Sequence, residues 1–223
     1  MMKNSIHEYY DHLAETYEQN RFGNSYGRYI DEQENVFLHS FFKDKRYSKI
    51  LDLGCGTGRL LKFATHGLDF SEKMLRIAKE KNLGKITAVG EISKIPFDLK
   101  FDCIFCFHVI MHQTKEETEK FLDECYMKLD DHGILIFDYP TKTRRKAVSP
   151  QQDWHAGNTF TASEISILSD KQWNIRRTAG ILWFPVHRFP NSIRKLFLPL
   201  DILLCRTFLK KWASYHIVVL EKK

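Results

Sequence analysis

Hydrophobic residues in the first 43 positions recur at helical spacing. Within residues 5–20 they are Ile6, Tyr9, Tyr10, Leu13, Ala14 and Tyr17. Steps of three and four place such residues on one face of a helix. Residues 26–43 repeat this pattern less regularly. The sequence therefore predicts two helices ahead of residue 45.

From Lys49 onward, short apolar segments alternate with amphipathic ones. Strands are predicted at 50–53, 85–89, 101–106 and 133–138, and a further strand is predicted to end at Asp69. Helices are predicted at 72–81 and 115–129. This alternation, with uniformly apolar strands, is typical of a parallel sheet covered on both faces.

After Asp138 the sequence changes in character. A polar, basic loop at 141–152 precedes a short helix that opens at Thr161, and further strands are predicted at 173–184 and 214–220. The segment between these strands, residues 185–211, is rich in proline and large apolar side chains. We interpret it as a lid over the substrate.

Composition and charge narrow the function classes. The chain is 43% apolar and 28% charged, which excludes collagenous, low-complexity and broadly disordered proteins. Its net charge of +6 is uneven: residues 141–223 hold 15 Lys and Arg against 5 Asp and Glu. The longest apolar run, 196–205, is too short to span a membrane. With no signal-like start, we expect a cytoplasmic protein with no transmembrane segment.

A glycine-rich turn follows the first predicted strand, in the run Leu51-Asp52-Leu53-Gly54-Cys55-Gly56-Thr57-Gly58. Glycine tolerates the positive φ of a tight turn, and its missing Cβ lets a ligand approach the backbone. An acid beside the turn would repel a diphosphate. Asp52 therefore favours a cationic or amine-bearing ligand.

This run resembles the first motif of the class I S-adenosylmethionine (SAM) dependent methyltransferases of small-molecule type (methyltransferase domain 11/25-like). The segment 67–75, Gly-Leu-Asp-Phe-Ser-Glu-Lys-Met-Leu, resembles their second motif, whose acid binds the ribose. Gly90-Glu91-Ile92 resembles the segment that reads the adenine edge, and 133–138 matches the fifth strand. The resemblance covers roughly residues 48–140.

The resemblance implies an α/β fold with a Rossmann-like, doubly wound, seven-stranded sheet. The sheet would be mostly parallel, with one antiparallel strand near 214–220. We expect a single domain comprising a helical cover (1–45), a SAM-binding core (46–140), and a substrate lid with the last strands (141–223). Only ten residues separate the glycine turn from Asp69. The helix between them should therefore be clipped to about two turns, and the second strand to a stub at 66–69.

The implied activity is transfer of a methyl group from SAM to an oxygen or nitrogen atom of a small-molecule, glycan or lipid-linked acceptor. In the family pattern, Tyr17 caps the sulfonium, Arg21 contacts the carboxylate, and Asp69 holds the ribose. The full set of expected cofactor-binding residues is Tyr17, Arg21, Asp52, Gly54, Cys55, Gly56, Asp69, Phe70, Met74, Glu91, Ile92, Phe107 and His108. The N-terminal tyrosines would alternatively only pack on the sheet.

Two histidines follow the fourth strand four residues apart, which a helical turn would bring to one face. We assign His112 as a general base for the acceptor. The alternative is that His108 lines the cofactor pocket and His112 only packs, since alignment alone can drive methyl transfer. No metal is expected, because Cys103 and Cys106 lie three apart on a strand and so point to opposite faces.

The acceptor is expected between Tyr17, His112, the insert, and a loop at 150–160 that includes Trp154 and His155. The basic C-terminal part leaves several partners open: an acidic small molecule, a glycan, a lipid surface met peripherally, or RNA. Nucleic acid is disfavoured because Cys106-Phe107-His108-Val109 lacks the N/D-P-P-Y/F run of amino methyltransferases. An RNA or protein methyltransferase and a non-catalytic SAM-binding regulator remain as alternatives. The sequence does not determine the oligomeric state.

Overall fold

A computed structural model describes residues 2–144 and 158–223, with side chains from Glu8 onward. One sheet of seven strands has the order β3-β2-β1-β4-β5-β7-β6. Strand β7 is antiparallel to both its neighbours, and the other adjacent pairs are parallel. The predicted fold class is confirmed.

The bounds of the elements follow the predicted alternation closely. The strands are β1 (Ile50–Leu53), β2 (His66–Asp69), β3 (Ile86–Val89), β4 (Phe101–Cys106), β5 (Leu129–Pro140), β6 (Trp173–Ile181) and β7 (Tyr215–Lys222). The helices are α1 (Met2–Leu13), α2 (Tyr17–Phe22), α3 (Ser25–Phe42), α4 (Glu72–Lys81), α5 (Lys115–Lys128), α6 (Ala162–Ser169) and α7 (Leu198–Arg206). Capping boxes open α5 and α6, with Thr114 and Thr161 as their N-caps.

Each face of the sheet is covered by its own buried layer. Helix α3 packs on one face with Tyr29, Phe37 and Phe41, and α5 packs on the other through Phe121 and Leu122. Strand β4 contributes to both layers, because its side chains alternate. Cys103 joins the first layer and Cys106 the second, so these two thiols point to opposite faces as predicted.

The helix predicted after the glycine turn is wrong. Only a 3-10 turn, Leu61–Phe63, lies between β1 and β2, held by bonds three residues apart such as Ala64 N–H to Leu61 O at 3.0 Å. The link is too short for an α-helix that must also return to the start of β2. Helix α3 covers the face of the sheet beside this link instead. The stub at 66–69 is confirmed.

Other boundaries also differ from expectation. Strand β5 spans Leu129–Pro140 rather than 133–138. The helix predicted at 5–20 breaks after Leu13, and α2 begins at Tyr17. A tertiary contact outweighs helical continuity here, because Glu18 on α2 bonds to the glycine turn. Strand β6 ends at Ile181 rather than at residue 184, since Leu182 has φ +60° and cannot continue an extended strand.

No helix in the described part of the chain is long and apolar enough to cross a lipid bilayer.

Candidate active site

The glycine turn at the carboxyl end of β1 adopts the left-handed conformation that its sequence requires. Gly54 and Gly56 have φ of +79° and +54°. A Cβ on Gly54 would lie 2.5 Å from Val109, whereas one on Gly56 would meet nothing within 4 Å. The first glycine is therefore needed for packing. The second leaves backbone open to a ligand.

Asp69 at the end of β2 fixes this turn. One carboxylate oxygen accepts the N–H of Gly56 at 2.8 Å, and the other accepts the N–H of Ser71 at 2.9 Å. Ser71 in turn caps α4 by accepting the N–H of Met74. The glycine turn, the end of β2 and the start of α4 are thus held as one unit.

A cavity of about 220 Å³ opens beside this unit. Ten of the residues predicted to bind cofactor line it: Tyr17, Gly54, Gly56, Asp69, Phe70, Met74, Glu91, Ile92, Phe107 and His108. The predicted base His112 lines it too, as do Tyr10, Gly90, Ser93, Val109 and Gln113, which were not among the predicted site residues. The carboxyl ends of β1, β2, β3 and β4 converge on this space, as expected for a doubly wound sheet.

A smaller lobe of about 50 Å³ adjoins the main cavity and contains the predicted Asp52 and Cys55. Tyr17 and His108 line both lobes. Asp52 is 3% exposed, and its Oδ2 has no hydrogen-bond partner among the described residues. Burial raises the pKa of this carboxyl to about 8. A buried acid without a partner is costly, so the lobe is suited to a cationic group.

Helices α1 and α2 close the cavity from the other side through a few polar contacts. Tyr10 on α1 lies 3.1 Å from Nε2 of His112, joining its hydroxyl to the imidazole. Ser71 donates to Asp11 of α1. Glu18 on α2 accepts from Thr57 of the glycine turn at 2.8 Å and pairs with Lys81 at 2.6 Å.

A cluster of buried charged side chains lies next to the cavity, beneath His108. Glu34 on α3 is fully buried and pairs with Arg59 at 2.7 Å and with Nε2 of His108 at 2.5 Å. Arg59 also pairs with Asp31. Asp138 at the end of β5 accepts the backbone N–H of His108 at 2.6 Å. This bond holds His108 at its φ of +61°, which is strained for a residue with a Cβ.

The cluster sets the charge of His108. Burial alone would lower the pKa of this imidazole, but the carboxylates of Glu34 and Asp138 outweigh burial and raise it. Burial by itself would raise the pKa of Glu34. The positive charges of His108 and Arg59 outweigh burial and bring this pKa below its ordinary value. The flanking carboxylates therefore favour the protonated form of His108, which suits a positioning group better than a base.

Comparisons with known proteins agree with this geometry. A family model described as "Methyltransferase domain" matches residues 51–137. An uncharacterised protein of Methanocaldococcus jannaschii is 35% identical over 241 residues, covering 99% of this chain and 92% of that protein. The chain belongs to the class I SAM-dependent methyltransferases. A structure of magnesium protoporphyrin IX methyltransferase from Synechocystis PCC 6803 with bound SAM has a TM-score of 0.68 and 16% identity, and the match covers 99% of this chain and 97% of that one.

Another relative is named for a reaction other than methyl transfer. The carboxy-S-adenosyl-L-methionine synthase of Campylobacter hominis is 26% identical over 80% of this chain and 79% of its own length. The family match and the neighbouring structure with bound SAM indicate that the cofactor of this methyltransferase is SAM.

The residues of this methyltransferase fit such a cofactor. The partnerless Oδ2 of Asp52 suits an ammonium group, and the open side of Gly56 leaves room against the backbone. Asp69 has oxygen lone pairs left after its two backbone bonds, so it can also accept from hydroxyl groups. When bound, SAM supplies an electrophilic methyl group on a positively charged sulfur.

Some predicted residues lie apart from the cavity. Arg21 is exposed and lines neither lobe, although its charge affects the pKa of Tyr10 and Tyr17. Trp154 and His155 lie outside the described residues. No residue of the insert 185–211 lines either lobe, so its role as a substrate lid stays a prediction. The two histidines share no helix, because the 3-10 turn Ile110–His112 starts after His108.

The sequence did not single out Glu34 and Arg59, though a signal for the first exists. Glu34 lies four residues after Ile30 and three before Phe37, on the apolar stripe of α3. A charged residue on a buried stripe indicates a buried partner. Which cation it meets depends on how α3 crosses the glycine turn, and no local pattern records that.

Proposed function

We propose that this methyltransferase transfers the methyl group of SAM to an oxygen or nitrogen atom of a small-molecule acceptor. The observation behind the proposal is the polar pair of His112 and Tyr10, which lines the same cavity as the cofactor motifs. An acceptor hydroxyl or protonated amine must lose a proton as it is methylated. Imidazole is suited to take that proton near neutral pH.

The cover supports a small acceptor over a macromolecule. Helices α1 and α2 lie over the cavity and are attached to the strand ends by the contacts of Tyr10, Asp11 and Glu18. A folded protein or an RNA duplex could reach the cavity only if these contacts were broken. A small molecule, or a glycan or lipid headgroup of similar size, needs a much smaller opening.

In this proposal each wall of the cavity has a task. Asp69 holds the ribose, Glu91 and Ile92 face the adenine, and Asp52 holds the ammonium group. His108 is a positioning residue, because the carboxylates that flank it favour its protonated form. His112 is the catalytic base, and Tyr10 orients its ring.

The test is methylation by purified protein with methyl-labelled SAM and fractionated metabolite, glycan and lipid extracts. We expect label in a small product, together with S-adenosylhomocysteine. His112→Ala should lower kcat by about 10²-fold or more while SAM affinity stays unchanged. His12→Ala is the matched control, since that exposed histidine lies on α1 close to Tyr10.

Other outcomes point elsewhere. Label mainly in RNA or protein would overturn the small-molecule acceptor. SAM binding without turnover across the extracts would favour a regulator. A heavier SAM derivative in the mass spectrum, in place of S-adenosylhomocysteine, would favour the chemistry named for the Campylobacter hominis relative.

A further inference from the structure

The C-terminal insert presents a surface that the cofactor cavity does not use. Of the twelve large apolar side chains that are exposed in the described chain, six lie within residues 193–212. We call these six the insert face: Ile193, Leu196, Leu200, Leu203, Phe208 and Trp212. Leu196 and Phe208 are 75% and 77% exposed. Such concentration on a folded surface indicates an interaction site.

The geometry of α7 makes this face a fixed feature. Leu196, Leu200 and Leu203 recur at steps of four and three, which places them on one side of the helical run. On the opposite side Asp201 is fully buried and accepts from the hydroxyl of Tyr29 at 3.0 Å. Asp201 also accepts the N–H groups of Trp183 at 3.0 Å and Phe184 at 3.1 Å. The helix is therefore anchored with Leu196, Leu200 and Leu203 outward.

The border of the insert face is positively charged. Residues 185–212 contain six Lys and Arg, and their single acid is the buried Asp201. Arg188, Lys195, Arg206 and Lys211 are exposed, and none of them forms an ion pair with any residue that the structure describes. Lys211 lies 4.3 Å from the ring centre of Trp212.

We propose that the insert face docks on a lipid bilayer with anionic headgroups. Leucine, phenylalanine and tryptophan side chains enter the boundary between headgroups and acyl chains, and surrounding cations attract anionic lipids. A second copy of this chain fits the face less well, because two insert faces would bring their cations together. The inference goes beyond the proposed function and does not depend on the acceptor.

The experiment is sedimentation of the full chain with vesicles of phosphatidylcholine alone or mixed equally with phosphatidylglycerol. We expect binding to the mixed vesicles only, weakening as salt rises. Leu196→Ser should reduce the partition coefficient by about tenfold. Arg206→Gln should reduce it by about fivefold, since each cation near an anionic surface contributes about that much.

Matched controls distinguish binding through the insert face from nonspecific binding by other exposed side chains. Ile167 is 74% exposed on α6, close to the 75% of Leu196, and Arg76 is an exposed arginine on α4. Ile167→Ser and Arg76→Gln should bind mixed vesicles like the parent chain. Brominated lipid tails should quench the fluorescence of the parent chain more than that of Trp212→Phe.

Several results would overturn the inference. Equal loss of vesicle binding in Leu196→Ser and Ile167→Ser would show that binding does not depend on the insert face. Equal binding to both kinds of vesicle would remove the role of charge. A dimer in light scattering that Leu196→Ser dissociates, with no vesicle binding by the monomer, would assign the face to a second copy.

Discussion

The cavity has two walls that are built differently. The strand-end wall, made by Gly54, Gly56 and Asp69, rests on side chains such as Leu53 and Leu68 that are wholly buried. The cover wall, made by α1 and α2, is attached through polar contacts, and α2 buries none of its side chains. Elements with few buried contacts open at low free-energy cost. We therefore expect the strand-end wall to recognise the cofactor and the cover wall to control access to it.

The largest effect is expected when one charge is removed from the buried cluster that lies beneath the strand-end wall. Arg59→Met should lower the free energy of unfolding by about 3 kcal/mol, because the fully buried Glu34 loses one of its two cationic partners. Urea denaturation followed by circular dichroism measures this change. Arg76→Met, at an exposed site on α4, should stay within about 0.5 kcal/mol of the parent. Equal stability of both variants would contradict the structural role of the cluster.

The next test addresses the strand-end wall itself. Asp69→Ala should weaken SAM binding by about 100-fold, because it removes an acceptor for the ribose and releases the N–H of Gly56 that shapes the turn. Titration calorimetry gives the affinity. Asp98→Ala removes an exposed carboxylate outside the cavity and should leave the affinity unchanged. An undiminished affinity in Asp69→Ala would show that the cofactor site is misassigned.

A pH series sharpens the role of Asp52. Burial raises the pKa of this carboxyl to about 8 in the free protein, and an ammonium group beside it would bring that pKa down. Binding then releases a proton, so affinity falls as pH drops below about 8, by up to about tenfold per pH unit. Calorimetry in buffers of different ionisation enthalpy measures the release. Asp52→Asn should show a flatter profile, and an identical slope in both proteins would exclude this group.

The smallest effect is expected at the cover wall. Glu18→Ala removes the contact with Thr57, which is worth about 1 kcal/mol, together with the exposed ion pair with Lys81, which is worth less. Hydrogen exchange in residues 14–22 should become faster, and SAM should dissociate a few-fold faster. Glu15→Ala, at an exposed site in the same segment, is the control. Unchanged exchange in Glu18→Ala would mean that the cover is held by its packing.

Much of the strand-end wall was predictable, since each of its parts is local in sequence. The glycines follow β1 directly, and Asp69 ends β2 as its motif requires. The cover was less predictable, because the break after Leu13 depends on a contact between Glu18 and the distant Thr57. The link between β1 and β2 shows the same limit. Its length predicted a helix of about two turns, whereas the chain forms only the 3-10 turn Leu61–Phe63 before it returns to β2.

The sequence by itself determined how strands and helices alternate along the chain, apart from the helix that is missing between β1 and β2. It also determined the glycine turn and the acids at the strand ends. These follow from side-chain periodicity and from backbone conformations that few residues other than glycine adopt. Tertiary structure alone decided which charges share the buried cluster, because Glu34, Arg59, His108 and Asp138 come from four separate segments. It also decided that the insert directs Leu196, Leu200 and Leu203 outward. Asp201 fixes that orientation through bonds to Tyr29 and to the chain after β6, residues that no local pattern connects with it.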